Sequence, residues 1–239
     1  MLPRVSSDST PPPPLDDETA NHPLTCPQLK WGILGCGRVS NDFVQALKLI
    51  PSAMVAAVSA RSLESAQKFA ERHGVSKYYG SYEEMLTDDE IEIVYVGNVH
   101  SYRRSIGEKC LLANKHVLLE KPFACNATDA EYLISLAKEK KLFIMEGMWT
   151  RFFPAVEKAR RLVLGDKNNG QPGVIGEVVS VISDFNFNAS DNVGDPYPTS
   201  IFYNHKEGGG ASLFVAPYGY PIATATMFLM VLSRIRWLL

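Results

Sequence analysis

From residue 30 onward, short apolar runs alternate with longer segments whose apolar positions recur at helical spacing. Residues 30–34 form an apolar run that leads into a glycine. Phe43, Ala46, Leu47 and Ile50 follow at i, i+3, i+4 and i+7, one face of a helix that Pro51 stops. Residues 54–58 read as a buried strand, and Leu63, Ala66 and Ala70 mark a second helix ending at Gly74. Ser81 and Glu84 make a capping box ahead of a short helix, and residues 91–96 form a β-branched strand. Ile106, Cys110 and Ala113 share one side of a helix over 102–113, and 116–119 is the next strand. Thr128 with Glu131 caps a helix whose expected buried face is Ala130, Leu133, Ile134 and Ala137, and 142–145 closes the series. Strands alternating with helices at this spacing predict a parallel, doubly wound α/β sheet over residues 28–150.

Ahead of that region the pattern is lost. Residues 1–27 hold seven of the chain's 15 prolines and a net charge of −3. Proline-rich acidic sequence cannot bury enough apolar surface to offset chain entropy, so a disordered tail is expected. It lacks the basic start and apolar run of a secretory signal, and a PPII ligand for an SH3-type partner is the alternative reading. The whole chain of 239 residues is 46% hydrophobic and 21% charged, with a net charge of −2. That excludes collagen-like, coiled-coil and wholly disordered chains, and it offers no field for nucleic acid or an anionic membrane. Cys26, Cys36, Cys110 and Cys125 show neither CxxC nor metal-ligand spacing. They read as reduced thiols of a cytoplasmic protein, with no metal site.

Four strand ends carry the candidate chemistry. The first strand runs into Gly35-Cys36-Gly37-Arg38-Val39-Ser40, a GxGxxS string at a strand-to-helix turn. Gly35 permits the tight turn, Gly37 lets backbone amides approach a pyrophosphate, and Ser40 stands in for a third glycine; Cys36 fills space. The second strand ends in Ser59-Ala60-Arg61-Ser62, without the acid that binds a ribose 2′-hydroxyl. A guanidinium beside a hydroxyl suits a 2′-phosphate, so NADP is preferred to NAD, with Arg61 as a plain surface charge the alternative. Gly97-Asn98-Val99-His100 follows a later strand, and Glu120-Lys121-Pro122 the next, both at C-terminal tips where open α/β sheets bind ligands. Proline keeps the backbone before it extended and aims Lys121 over the crevice.

The glycine string, Ala113-Asn114-Lys115-His116-Val117 and Glu120-Lys121-Pro122 together resemble the Gfo/Idh/MocA oxidoreductase family. Met145-Glu146-Gly147-Met148-Trp149-Thr150-Arg151-Phe152-Phe153-Pro154 resembles one branch, that of the dimeric dihydrodiol dehydrogenases and NADP-dependent D-xylose dehydrogenases. The resemblance spans roughly residues 30–225. It implies a Rossmann domain, then an open-sheet substrate domain, and hydride transfer between a carbinol carbon and NADP. It makes Lys121 the catalytic lysine and places Trp149 and Arg151 on the substrate side. Gly208-Gly209-Gly210 matches the start of the family's second-domain segment, but Phe214 stands where its aspartate would fall. Tyr220, followed by Pro221, best matches the family's tyrosine, with Tyr218 second. A nearby ammonium stabilises a tyrosine's phenolate, which can take the hydroxyl proton as hydride leaves. His100 is a rival base, or else a ribose or nicotinamide contact.

Residues 151–239 are expected to begin an α+β substrate and dimerisation domain that they do not complete. Residues 154–164 read as helix, 177–188 as a strand, 191–204 as a polar loop, and 222–232 as an apolar helix too short to span a membrane. Two function classes follow: an NADP-dependent dehydrogenase of an aldose, polyol or dihydrodiol, or a truncated NADP-binding interaction module. A homodimer is expected only where that second domain is complete.

Overall fold

The computed structural model describes residues 28–165, 170, 172–176, 201 and 203–218. Strands β1 (Leu29–Leu34), β2 (Ala53–Ser59), β3 (Lys77–Tyr79), β4 (Ile93–Val96), β5 (His116–Glu120) and β6 (Ile144–Gly147) form one sheet. Its order is β3-β2-β1-β4-β5-β6, and every pairing is parallel. Helices α1 (Arg38–Leu47), α2 (Leu63–His73), α3 (Tyr82–Leu86), α4 (Arg103–Leu112) and α5 (Ala127–Lys140) make the crossovers. Helices α6 (Pro154–Leu164) and α7 (Ala211–Phe214) follow them.

Each central strand is apolar at consecutive positions because both sheet faces are covered. Leu34, Val94, Val96, Val117 and Leu119 point to one face and pack on Ile106, Cys110 and Leu111 of α4 and Leu133 of α5. The alternate residues Ile33, Tyr95 and Leu118 point to the other face, against Val44 and Leu47 of α1 and Phe69 of α2. The two-residue period of the strands thus divides one apolar run between two cores. Burying each such aliphatic side chain contributes about 1.5–3 kcal/mol.

Several helix details differ from the sequence reading. Helix α1 starts directly after Gly37 and buries Ser40, Val44 and Leu47, leaving Ala46 and Ile50 exposed. The helix ends before Ile50, so its buried stripe is one turn earlier than the periodicity suggested. Leu63 is exposed at the start of α2, where Phe69 and His73 are buried with Ala66 and Ala70. Helix α5 is capped by Asn126, whose side chain accepts from Asp129 N, and Thr128 lies inside the first turn. Its inward residues are Leu133 and Ala137, while Ile134 is exposed. Ser81 does cap α3, accepting from Glu84 N, but its hydroxyl donates to Glu83. Strand β3 has only three residues, too few to show a period, and β6 lies two residues later than expected. Helix α6 matches its expected bounds; the expected strand over 177–188 and the helix over 222–232 lie outside the described residues.

Register levels the strand ends. Leu34 pairs with Ser59 and Val96, Val96 with Leu119, and Glu120 with Gly147. The segments after β1, β2, β4, β5 and β6 therefore leave the sheet along one edge. Strand β1 lies between β2 and β4, where the strand order reverses, and the crevice outside that point is where such sheets bind ligands.

Candidate active site

The glycine turn is built by backbone constraint. Gly35 has φ +88°, a left-handed conformation, and a Cβ there would lie 3.0 Å from Asn98 Oδ1. Around Gly37 a Cβ would meet nothing within 4 Å, so that backbone faces open space. Gly37 is also the N-cap of α1, with no side-chain cap and no acid in the first turn. By contrast α2 and α5 are capped by Ser62 and Asn126. The first-turn amides of α1 are thus left for an anion. Arg38 and Val39 are exposed at this turn, while Ser40 is fully buried. A Cβ on Gly97 would fall 2.1 Å from Ser40 Oγ, so a glycine on β4's side makes room for the serine on α1. Cys36 Sγ approaches Ser59 O at 3.6 Å, and burial pushes its thiol up to about 11, which keeps it protonated at neutral pH.

A cavity of about 660 Å³ lies over these ends. Its wall includes Gly35, Gly37, Arg61, Ser62 and Asn98, so the tips of β1, β2 and β4 are brought together. Arg61 is exposed and enters no ion pair among the described residues. Ser62 has a second task, as N-cap of α2 through Ser65 N. Asn98 Nδ2 donates to Tyr82 OH at 2.7 Å, whereas its buried Oδ1 has no partner among the described residues. An uncapped helix start, an open glycine, an unpaired arginine and an orphaned acceptor on one cavity fit a phosphorylated dinucleotide.

The other half of the edge gathers the candidate catalytic groups. Lys121 follows β5, and the Lys121–Pro122 peptide bond is cis. Its Nζ donates to Phe214 O at 2.8 Å and lies 4.2 Å from the centre of the Tyr218 ring. Trp149 Nε1 donates to Tyr218 OH at 3.3 Å. Lys121, Tyr218 and Trp149, far apart in sequence, therefore meet. The ammonium meets the face of the ring and not its hydroxyl. Tyr220 lies outside the described residues, and Arg151 is half-buried on the 3-10 turn Trp149–Phe152.

His100 is buried, with Nε2 2.7 Å from Gly208 O and its ring edge-on to Phe214 at 4.7 Å. Burial lowers its pKa, with the charges of Arg103 and Lys121 acting the same way. The neutral Nε2–H tautomer satisfies this contact. Glu120, an expected cofactor contact, turns inward: Oε1 accepts from Tyr95 OH at 2.9 Å and Oε2 from Lys121 N at 3.0 Å. Burial raises its pKa, offset in part by the Tyr95 hydrogen bond and the Arg103 charge.

Sequence reasoning passed over Tyr95, Arg103 and Glu207. A phenol inside an apolar strand must find a partner, and that was the available signal for Tyr95. Glu207 lines the cavity and accepts from Ser101 Oγ at 2.6 Å and Tyr102 OH at 3.4 Å, clasping the 204–210 segment to the turn after β4. Its partners lie more than a hundred residues away, beyond any local pattern.

The model of the Gfo/Idh/MocA oxidoreductase family, described as having an NAD-binding Rossmann fold, matches residues 29–148. Trans-1,2-dihydrobenzene-1,2-diol dehydrogenase of Xenopus tropicalis is 39% identical over 191 residues, covering 79% of this chain and 54% of that protein. The Homo sapiens enzyme of the same name is 42% identical over 144 residues, 58% of this chain and 43% of that one. The chain thus spans about half the length of these relatives. Among solved structures, KijD10, a 3-ketoreductase from Actinomadura kijaniata in complex with NADP and TDP-benzene, superposes with a TM-score of 0.53 at 28% identity. That superposition covers 58% of this chain and 44% of KijD10.

Proposed function

The chain belongs to the Gfo/Idh/MocA oxidoreductase family, and from that premise we propose that it is an NADP-dependent dehydrogenase of a CH–OH group. The substrate class is one with vicinal hydroxyls: a trans-dihydrodiol, an aldose such as D-xylose, or a polyol. The observation that carries this reading is the Lys121 ammonium, held against Tyr218 on the same sheet edge as the glycine turn. The names of the curated relatives support the substrate class, and the NADP complex of KijD10 supports the cofactor class. Preference for NADP over NAD rests on Arg61 and Ser62 at an acid-free β2 tip.

When bound, NADP supplies the hydride acceptor for the carbinol carbon. The chain's residues do the rest. Gly35, Gly37 and the α1 amides would hold the pyrophosphate, and Arg61 with Ser62 would hold the 2′-phosphate. An ammonium has three donors. One of Lys121's is taken by Phe214 O, which leaves two for the substrate oxygen. There they stabilise the negative charge that grows as the hydroxyl proton passes to the phenolate of Tyr218 or Tyr220. In the reducing direction Tyr218, or Tyr220, donates its phenolic proton to that oxygen, and Trp149 Nε1 orients the Tyr218 hydroxyl. Residues 28–150 serve as the cofactor domain and residues 151–239 belong to the substrate side, in a cytoplasmic protein.

Phe214 favours a second reading, an NADP-binding module without turnover. A backbone carbonyl meets Lys121 at the position where the family's segment carries an acid. Incubation of the full chain with NADP and either D-xylose or a trans-dihydrodiol, with NADPH binding measured on the same sample, separates the two. Reduction of NADP supports the dehydrogenase; binding without reduction supports the module.

A further inference from the structure

Arg103 opens α4 and is 5% exposed, a costly place for a guanidinium. Burial pulls its pKa down to about 10, which still leaves it charged at neutral pH. It enters no ion pair among the described residues, and its hydrogen bonds go to two backbone carbonyls. Nε and Nη2 donate to Asn98 O at 3.1 and 2.8 Å, and Nη1 donates to Pro122 O at 2.6 Å.

Those carbonyls belong to different halves of the site. Asn98 lies in the turn after β4 and lines the cofactor cavity. Pro122 lies in the turn after β5 that carries Lys121. The lysine turn is already tied to its own side of the sheet. Glu120 Oε2 accepts from Lys121 N, and Glu146 Oε1, from β6, accepts from Phe123 N at 2.9 Å. Tyr95 OH in turn holds Glu120. Among these bonds, only those of Arg103 join the lysine turn to the cofactor turn. A planar fork can hold two carbonyls at a set separation and angle, which a single ammonium cannot do.

We propose that Arg103 is a positioning residue that sets Lys121 in register with the cofactor by bridging the Asn98 and Pro122 carbonyls. This rests on the proposed role of Lys121, so the test includes a readout independent of turnover. Arg103→Lys keeps the charge and loses the fork; Arg103→Gln keeps hydrogen-bonding capacity and loses the charge. Both are made in the full chain, with thermal melts to establish the folded fraction. Loosening the bridge should lower kcat by about tenfold or more, since small misplacements of a catalytic group are costly. NADPH affinity, read by fluorescence titration, should fall by a smaller factor than kcat, because the α1 contacts are untouched even where the Asn98 turn relaxes.

The second readout is the rate at which the Lys121 amine is reductively methylated, followed by peptide mass spectrometry and normalised to exposed Lys68. In both variants Lys121 should react at least about threefold faster than in the unmodified protein, as local opening of its turn becomes easier. Unchanged labelling of Lys121 in the folded Arg103→Lys protein would overturn the proposal. So would losses of kcat and NADPH affinity that simply track the unfolded fraction. If the unmodified protein binds NADPH but turns over no vicinal diol, the dehydrogenase reading fails instead, and the labelling rates still decide the role of Arg103.

Discussion

A close approach and an exposed charge set what single residues can do at this site. Ser40 fills the space above Gly97, where a Cβ would lie 2.1 Å from its hydroxyl oxygen. Gly97→Ala should therefore destabilise the fold by about 1–3 kcal/mol through overpacking. Ser40→Gly in the same chain should restore much of the loss, and denaturant melts of the two single variants and the double variant measure that coupling. The proposed preference for NADP rests on Arg61. Arg61→Ala should weaken NADP binding by about 10- to 100-fold, the loss of a charge-assisted bond of about 1.5–3 kcal/mol, and leave NAD binding unchanged. Equal losses for both cofactors in parallel titrations would remove the 2′-phosphate assignment. The placement of the glycines, Arg61 and Lys121 was legible in the sequence because each sits beside a strand end. That of Arg103 and Tyr95 was not. Arg103 donates to the carbonyls of Asn98 and Pro122, and carbonyls leave no mark in a sequence.

At the scale of elements, strands read more faithfully than helices. Burial on both faces makes a central strand apolar throughout, so β4 and β5 announced themselves within a residue or two at each end. A helix face is a matter of phase, and α1 shows how it slips. Gly37 starts the helix early, Ser40 takes an inward position through its contact with Gly97, and Ile50 falls beyond the last turn. Asn126, not Thr128, caps α5, because only Asn126 has the extended backbone an N-cap needs. Two helix-linked histidines carry a pH signature. Burial lowers the pKa of His73 on α2, aided by Lys48 and Arg72, and burial likewise lowers that of His100. The folded state then binds fewer protons than the unfolded chain just below the ordinary value of about 6.5. Their stabilisation is present above that pH and is lost as pH falls through the lowered values. Glu120, raised by burial, works in the opposite sense at lower pH. The melting temperature should fall from pH 7.5 to 5.5, and a His73→Asn, His100→Asn double variant should flatten that slope. An unchanged slope in the double variant would assign the effect to other groups.

Taken as a whole, the described residues form a six-stranded parallel sheet with a layer over its C-terminal edge. That layer, made by Trp149–Phe152 and residues 203–218, brings Trp149 and Tyr218 to Lys121. The sheet was legible because its periods are local. The covering layer was legible only through motifs, since its contacts cross from residues 98–125 to 204–218. Phe214 marks the sharpest departure, with its carbonyl on Lys121 and its ring on His100. Occupancy of the cavity should stabilise the sheet: NADP at 100 times its Kd should add about 2.7 kcal/mol to the unfolding free energy, readable as a thermal shift. The most direct test of the account compares the initial rate of NADP reduction by a trans-dihydrodiol or D-xylose for the full chain and its Lys121→Met variant, with NADPH binding measured on both. The account predicts turnover by the unmodified chain and a loss of about 10²-fold or more in Lys121→Met, with NADPH binding retained. Equal rates from both proteins, or NADPH binding with no turnover from either, would contradict it.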